Sequence, residues 1–164
     1  PAAPPPAPAA PAGAALSMTR ADRDFTLDLL DVDAKSVVHA MGGFYGAVLV
    51  GAAQRGARAV GYAFFEHTPE AVVQHDDAVR RLEPSGRATV VAFQGTFADA
   101  TSVFVNITSA HMPTVMGALA EARVRGASIL TAVAVPGWPF GEIRTCAGGG
   151  SLYVYRSAAP PPAA

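Results

Sequence analysis

SVFVNITSAHMPTVMGALAEARVRGASILTAVAVP, residues 102–136, has the pattern of a strand, a helix and a second strand in close succession. Its first residues alternate and are rich in β-branched and aromatic side chains, which suit a pleated, half-buried surface. Apolar residues then recur at helical spacing over residues 112–122, and Pro113 suits a first helical turn. Gly126 predicts the helix stop, and the apolar run that ends at Val135 predicts a well-covered strand.

An earlier stretch repeats this order of elements. Residues 25–32 have the pattern of a strand, residues 34–54 are mostly compatible with a helix, and residues 58–66 again have the pattern of a strand. Arg55-Gly56-Ala57 and Arg125-Gly126-Ala127 end the two helices in the same way. This repetition reflects either the usual helix-to-strand connections of α/β proteins or an internal duplication. Both alternatives predict two βαβ units.

The two units predict the fold class. With the usual right-handed crossovers, they combine most simply into one sheet with both helices on one face. This arrangement is a ferredoxin-like α+β sandwich on a mainly antiparallel sheet. Thr68 and Pro69 predict the start of an additional helix that ends near Leu82. Residues 87–97 predict another strand, and residues 151–156 predict a C-terminal strand.

Composition predicts one domain between two tails. Residues 1–18 and 158–164 are dominated by proline and alanine, which favours solvated tails without packed structure. The intervening residues 19–157 are expected to form a single α+β domain. A chain with 51% hydrophobic and 15% charged residues can bury one such core.

Charge and cysteine content restrict the partners and the compartment. The net charge is −1 and no polybasic stretch is present, so a nucleic-acid partner is not expected. A single cysteine, Cys146, excludes an intramolecular disulfide and a cysteine-based zinc site. This content fits a cytoplasmic location, and a processed secreted form would have the same features.

Residues 36–53 contain no fully charged side chain and raise the question of a membrane span. The stretch is at the lower length limit for spanning and contains His39, so a buried helix is favoured and membrane contact is not expected. Gly42 and Gly43 each cost about 1 kcal/mol relative to alanine inside a helix. They indicate either close packing or a real interruption of this helix.

No motif in the sequence compels a chemistry. The nucleophile elbow G-x-S-x-G is absent, and the glycine run 148–150 leads into a strand rather than a helix. The spacing of the histidines is unlike that of metal ligands. No catalytic residue, metal or cofactor is therefore predicted. The histidines are His39, His67, His75 and His111.

A rigid aromatic loop after Pro136 is the predicted place for contacts. Trp138 either caps the core or anchors a partner, as tryptophan does at many interfaces. Phe140 belongs to the same loop, and Glu142 and Arg144 are the polar groups beside it. These four residues are the predicted contacts of a ligand or a protein partner.

Residues 54–62 (QRGARAVGY) and 103–136 together resemble the bacterial microcompartment shell-protein domain. In that family a helix leads through a small-residue turn into a strand that ends near Val-Gly-Tyr, matched here by Val60, Gly61 and Tyr62. A strand, an alanine-rich helix and an apolar strand that ends at proline then follow. The same elements also resemble ligand-sensing ACT domains, which share the ferredoxin-like topology. The first resemblance implies a homo-oligomeric assembly, and the second implies a ligand-binding domain.

The leading hypothesis is a non-enzymatic structural protein that self-associates into a shell-like homo-oligomer. Its basis is the lack of a chemical motif together with an apolar sheet that is rich in small residues. A small-ligand-binding regulatory domain, with its site near Trp138, is one alternative. An enzyme whose site assembles from scattered residues, using a histidine, is the other.

Overall fold

The computed structural model describes residues 19–43, 45–63, 85–139, 142–145 and 151–156. The predicted helix at 68–82, the glycine run and both tails lie outside these residues. The described elements are α1 Arg20–Leu29, β1 Val37–Gly42, α2 Tyr45–Gln54, β2 Arg58–Ala63, β3 Ala88–Ala92, β4 Ser102–Asn106, α3 Met112–Val124, β5 Ser128–Thr131, β6 Glu142–Thr145 and β7 Ser151–Tyr155.

The described strands form one sheet in the order β3-β2-β1-β4-β5-β7-β6. The first five strands in this order pair in parallel, and β7 is antiparallel to both β5 and β6. The predicted ferredoxin-like sandwich on a mainly antiparallel sheet is therefore wrong, and the fold is α/β. The physical reason is that β4 pairs with β1, so the chain crosses back after β3 and extends the sheet in the other direction.

The helices lie on both faces of the sheet. On one face α1 and α2 pack over Val38, Ala40 and Phe104, and on the other face α3 packs over Val103 and Val105. The prediction that both helices share a face is also wrong. Right-handed crossovers that run in opposite directions along a sheet place their helices on opposite faces.

The first helix occupies residues that predict a strand. Thr19 caps α1, since its Oγ1 accepts a hydrogen bond from the Asp22 N–H at 3.1 Å. The buried residues Leu27 and Leu30 follow helical spacing and are covered by α2. At Gly51 of α2 an added Cβ would lie 2.6 Å from the Leu27 Cδ1 atom, so the two helices approach each other closely.

The second predicted helix, residues 34–54, is a strand followed by a helix. The strand β1 lies in the interior of the sheet and is buried on both faces, so its sequence lacks the alternation of a half-exposed strand. Gly42 and Gly43 mark a real interruption, because Gly42 ends β1 and α2 begins at Tyr45. Among the described helices, none has both the length and the apolar character needed to cross a bilayer.

The predicted helix stops at Gly56 and Gly126 are confirmed. Their φ angles are 84° and 104°, the left-handed region that glycine adopts readily. The Gly56 N–H donates to the Ala53 carbonyl, and the Ala57 N–H donates to the Ala52 carbonyl, both at 3.0 Å. The same two bonds recur after α3, which makes both ends Schellman motifs.

Candidate functional site

The order of the strands reverses beside β1. The chain extends the sheet from β1 through β2 to β3, and later from β4 to β5 on the other side. In open α/β sheets, ligands bind in the crevice outside the carboxyl ends of the strands at such a reversal. The connections that follow β1 and β4 therefore border the candidate site.

The turn after β1 is fixed by Asn106 at the end of β4. The Gly43 N–H donates to the Asn106 main-chain carbonyl at 2.9 Å, and the Asn106 side-chain amide donates to the Gly43 carbonyl at 3.1 Å. Gly42 has a φ of 91°, and an added Cβ would lie 2.0 Å from the Asn106 carbonyl oxygen. Only glycine fits this position, so the sequence at 42–43 is dictated by contact between two neighbouring strands.

Helix α2 begins directly after this turn, with its amino end toward the crevice. The first N–H groups of a helix have no intrahelical acceptor, and the helix dipole gives this end a partial positive charge. Gly46 in the first turn is buried. Gly61 of β2 lies under Tyr45, since an added Cβ would be 2.8 Å from the Tyr45 Cε2 atom. These small residues let the first turn of α2 lie close to the sheet.

The connection from β4 to α3 supplies the polar side chains on the other side of the crevice. Thr108 and Ser109 are exposed, and His111 is half-buried at the start of α3. The N–H groups of His111 and Met112 both donate to the Thr108 carbonyl, at 3.0 and 3.2 Å, which holds the connection in a tight turn. This side of the crevice thus offers two hydroxyls and an imidazole.

A second polar cluster, centred on the buried His39 and Tyr62, lies on the α3 face of the sheet. His39 of β1 is 3% exposed, and its Nε2 lies 3.1 Å from Asp99 Oδ1. Its Nδ1 lies 2.8 Å from the Tyr62 hydroxyl, and Asp99 also pairs with Arg58. Because a carboxylate only accepts, Nε2 carries the imidazole proton, and Nδ1 accepts from the Tyr62 O–H.

This His39 cluster ties the β3–β4 connection to the sheet. Asp99 lies in that connection at a φ of 62°, an uncommon conformation for a residue other than glycine. Phe97 of the same connection contacts His39 edge-on, with ring centroids 6.2 Å apart. The cluster extends from Tyr62, near the carboxyl end of β2, to Arg58 and Asp99 at the amino edge of the sheet, so its arrangement is that of a structural link along the sheet.

Burial sets the protonation states in the cluster. Desolvation lowers the pKa of His39, although the neighbouring Asp99 opposes this shift. Desolvation, together with the charge of Asp99, raises the pKa of Tyr62 to about 12. A neutral His39 and a protonated Tyr62 are therefore the states that match the hydrogen bonds.

The predicted contact residues belong to the connection after β5 and to the edge strand β6, not to the connections that follow β1 and β4. Trp138 is half-buried, edge-on to Tyr155, and the Arg123 guanidinium carbon lies 4.8 Å from its ring centroid. Glu142 and Arg144 lie on β6 at the sheet edge and pair with each other at 2.8 Å, and this hydrogen bond lowers the pKa of Glu142. Phe140 lies outside the described residues. The contact role of these four residues, the homo-oligomer and the partner at the Trp138 loop stay predictions.

The other sequence candidates are distributed over the molecule. His39 is in the core and His111 is at the start of α3, whereas His67, His75 and Cys146 lie outside the described residues. Within the described part of the chain, no three histidine, cysteine or acidic side chains converge as a metal site. Sequence reasoning missed Asn106, which stands in a predicted strand, because its role depends on the pairing of β1 with β4.

No protein-family model and no curated protein matches this chain. Solved structures do match. An RNA methyltransferase from Salinibacter ruber, in complex with S-adenosyl-L-homocysteine, is similar with a TM-score of 0.70 and 17% identity over 90% of this chain and 97% of that chain.

Two further structures show the same likeness. A putative methyltransferase, yhhF, from Escherichia coli has a TM-score of 0.61 and 18% identity over 88% of this chain and 89% of that one. Precorrin-6y C5,15-methyltransferase from Geobacter metallireducens has a TM-score of 0.59 and 16% identity over 88% and 91%.

The fold of this chain is therefore the Rossmann-like fold of S-adenosylmethionine-dependent methyltransferases. The resemblance to microcompartment shell proteins and ACT domains is wrong, because the shared βαβ units belong to a parallel sheet of different strand order. The leading hypothesis of a shell-like structural protein is also wrong, since the chain shares its fold with methyltransferases and not with shell proteins.

Proposed function

We propose that this chain is a methyltransferase that uses S-adenosylmethionine and binds it in the crevice between the β1–α2 turn and the end of β4. The observation that carries the proposal is the strand order with its reversed β7, which the chain shares with methyltransferases over most of its length. The enzyme whose site assembles from scattered residues, an alternative that the sequence leaves open, is thereby favoured.

The main chain around the β1–α2 turn fits such a group. Gly43 and Gly46 have the spacing of the second and third glycines of the G-x-G-x-x-G turn, which serve close backbone approach and close packing of helix on strand, whereas Met41 stands at the first position. The amino end of α2 would face the polar part of the donor, and the Asn106 amide would hold the turn that contacts it. In this reading the turn binds chiefly through backbone groups.

At β2 this chain differs from a dinucleotide-binding site. Such sites place an acidic residue about twenty positions after the glycine turn, where it binds the ribose hydroxyls. Tyr62 stands near that position, and its hydroxyl is bonded to His39 rather than directed outward. Within the described residues, a nucleoside held here would therefore be bound without a carboxylate from β2.

The chemistry is divided between the donor and the chain. S-adenosylmethionine, when bound, supplies a methyl group carried on a positively charged sulfur. The chain positions the acceptor beside it, and proximity of this kind accounts for much of an enzymatic rate enhancement. The hydroxyls of Thr108 and Ser109 and the His111 imidazole are the described groups that can orient the acceptor, and His111 can also accept its proton.

Isothermal titration with S-adenosyl-L-homocysteine, the product of methyl transfer, tests the proposal directly. We expect saturable binding to the intact chain and a matching rise in thermal stability, since a ligand that binds only the folded state stabilises it by about 2.7 kcal/mol at 100 times its Kd. A folded chain that shows neither heat nor a thermal shift at millimolar product would refute the proposal.

A pair of glycine variants locates the binding. In Gly43→Ala the new methyl group would lie 2.8 Å from the Asn106 Nδ2 atom, so the amide must move and the turn loosens. We expect at least a tenfold loss of product affinity. Gly117→Ala is the matched control, because an added Cβ there meets no atom within 4 Å. Equal affinities of the two variants would place the ligand elsewhere.

A further inference from the structure

The two strands at the ends of the described sheet differ in charge. These strands are β3 and β6, and among the described residues each pairs with a neighbour on one side only. Alternate main-chain N–H and C=O groups of an edge strand face outward, where a further strand can bond to them. The sequence of β3, ATVVA, contains no charged side chain, whereas β6 places Glu142 and Arg144 on either side of Ile143.

The pairing of β6 with β7 shows which side chains of β6 share a face. Ile143 lies opposite Tyr153, which packs against the core on the α3 face of the sheet. Glu142 and Arg144 lie opposite two residues of the core under α1 and α2. Because directly opposite residues of antiparallel strands share a face, the apolar and the charged side chains of β6 lie on different faces.

The side chains of β6 are accessible to a partner. Ile143 is 52% exposed. The Arg144 side chain is 53% exposed, and its Nε donates to the Glu142 carboxylate at 2.8 Å. A single exposed isoleucine needs no partner by itself. This one lies between two opposite charges on an outer strand, and that pattern is complementary to itself.

We propose that β6 is the interface of a homodimer, in which the β6 strands of two copies pair antiparallel about a two-fold axis at Ile143. In such an interface the same patch of both copies meets itself. Each Ile143 then lies opposite its equivalent, and each Glu142 lies opposite the Arg144 of the second copy. Main-chain hydrogen bonds join the two sheets, as when a strand is added to a sheet edge. The proposal does not depend on methyl transfer.

The charges of β6 select this register. A two-fold antiparallel pair must be centred on a residue, because centring it between two residues would oppose side chains from different faces. A pair centred on Glu142 would oppose two carboxylates, and one centred on Arg144 would oppose two guanidinium groups. Like charges directly opposite each other are destabilising. Only the pair centred on Ile143 opposes unlike charges at both of its charged positions.

The oligomeric state of the full chain is the first test. One short strand makes a small interface, and interfaces below about 1,200 Å² are typical of weak complexes. We expect a monomer–dimer equilibrium with a Kd of about 10 to 100 µM, which sedimentation velocity detects between about 5 and 500 µM protein. A folded chain that stays monomeric over this range would overturn the proposal.

Two charge variants test the register. Arg144→Glu opposes carboxylates at both charged positions, and Glu142→Arg opposes guanidinium groups there. We expect each variant alone to dimerise at least about tenfold more weakly than the wild type. An equimolar mixture of the two should dimerise with nearly the wild-type Kd, because every opposed pair is again of unlike charge. A mixture that stays as monomeric as its components would overturn the proposal.

A pair of lysine variants locates the interface. Ile143→Lys places two cations at the axis, and we expect it to abolish dimerisation in the same concentration range. Val91→Lys is the matched control, because Val91 is a 41% exposed apolar side chain on the opposite edge strand. It should leave the Kd unchanged, and thermal denaturation establishes that both variants are folded. A dimer that Val91→Lys dissociates and Ile143→Lys does not would refute the proposed interface.

Discussion

The two βα units of this chain end alike and begin differently. Both helices stop with Arg-Gly-Ala in a Schellman motif, with matching hydrogen bonds after α2 and α3. At their starts, α2 follows a short glycine turn clamped by Asn106, whereas α3 follows a longer turn with exposed hydroxyls. The stops lie at the amino edge of the sheet and the starts at the carboxyl edge. The edge that varies between the units is thus the edge that borders the proposed site.

The arginines in the two stops extend this comparison. Arg55 pairs with Asp28 and donates to the Val32 carbonyl at 3.3 Å, so it fastens α1 to the first unit. Arg125 donates to the Phe97 carbonyl at 2.8 Å and thereby fastens the β3–β4 connection to the second. The same local motif thus anchors different parts of the chain on opposite faces of the sheet.

The largest effect is expected from a substitution at the start of the first unit, in the turn after β1. Gly42→Ala places a methyl group 2.0 Å from the Asn106 carbonyl oxygen at a φ of 91°. We expect a loss of about 3 to 5 kcal/mol in the free energy of unfolding, which is in the range of severe backbone and packing conflicts. Urea denaturation measures it.

The control for that variant lies within the second unit. Gly117→Ala in α3 meets no atom within 4 Å and should gain up to about 1 kcal/mol from helix propensity. If Gly42→Ala were as stable as the wild type, the turn after β1 would not be held as the structure shows.

A second variant tests the connection that Arg125 fastens. Asp99→Gly relieves the strained backbone at φ 62° but leaves the buried His39 Nε2–H without its acceptor. We expect a net loss of about 1 to 2 kcal/mol, since an unsatisfied buried donor costs about 1 to 3 kcal/mol and the relief returns part of it. Asp99→Asn keeps an acceptor oxygen and should lose less. The reverse order in thermal denaturation would contradict the assigned hydrogen bond.

Substitutions at the two helix stops give the sharpest test of whether the two units are equivalent. Gly56→Ala and Gly126→Ala each force alanine into a left-handed conformation, and we expect each to cost about 1 kcal/mol. At Gly56 the added Cβ would also lie 3.3 Å from the Ala34 Cβ atom. Chemical denaturation of both variants under the same conditions gives the comparison, and a difference above about 2 kcal/mol would show that the two motifs are not equivalent.

The smallest expected effect is the pH dependence from His39. Burial lowers its pKa in the folded state, so between that value and 6.5 the unfolded chain binds more protons. Stability should therefore fall as the pH drops below about 6.5, by less than about 1.4 kcal/mol per pH unit for one group. In His39→Gln this part of the slope should vanish, which denaturation midpoints between pH 5 and 7.5 would reveal. An unchanged slope would assign the pH dependence to other groups.

The second unit could be predicted largely from the sequence, although β5 ends at Thr131 and not at Val135. Pro113 and Gly126 bound α3 nearly as predicted, and β4 and β5 begin at Ser102 and Ser128. Helix stops and amphipathic spacing are local, so a single sequence carries them. The first unit could not be predicted in this way. Its interior strand β1 is buried on both faces and has no alternation, and residues 25–29 alternate by chance within a helix.

The rest of the fold depends on which strands pair with each other, and these pairs join residues that are far apart in the sequence. The ferredoxin-like topology and the methyltransferase topology can share the same local elements, and they differ in whether β4 lies beside β1 in parallel. Nothing in the sequence of β1 or of β4 indicates which strand it pairs with. The contact of Gly43 with Asn106 joins residues that are far apart in the chain, so the partial glycine motif at 43–46 does not by itself indicate which strand the turn contacts.

The position of β7 has a consequence for the order in which the chain can fold. The last described strand in the sequence is inserted between β5 and β6, and the Tyr155 hydroxyl near its end accepts a hydrogen bond from the Val135 N–H at 2.8 Å. During synthesis β6 therefore leaves the ribosome before the strand that joins it to the sheet exists. Until residues 151–155 have been synthesised, β5 presents an open edge that can pair with other chains, and this interval carries a risk of aggregation.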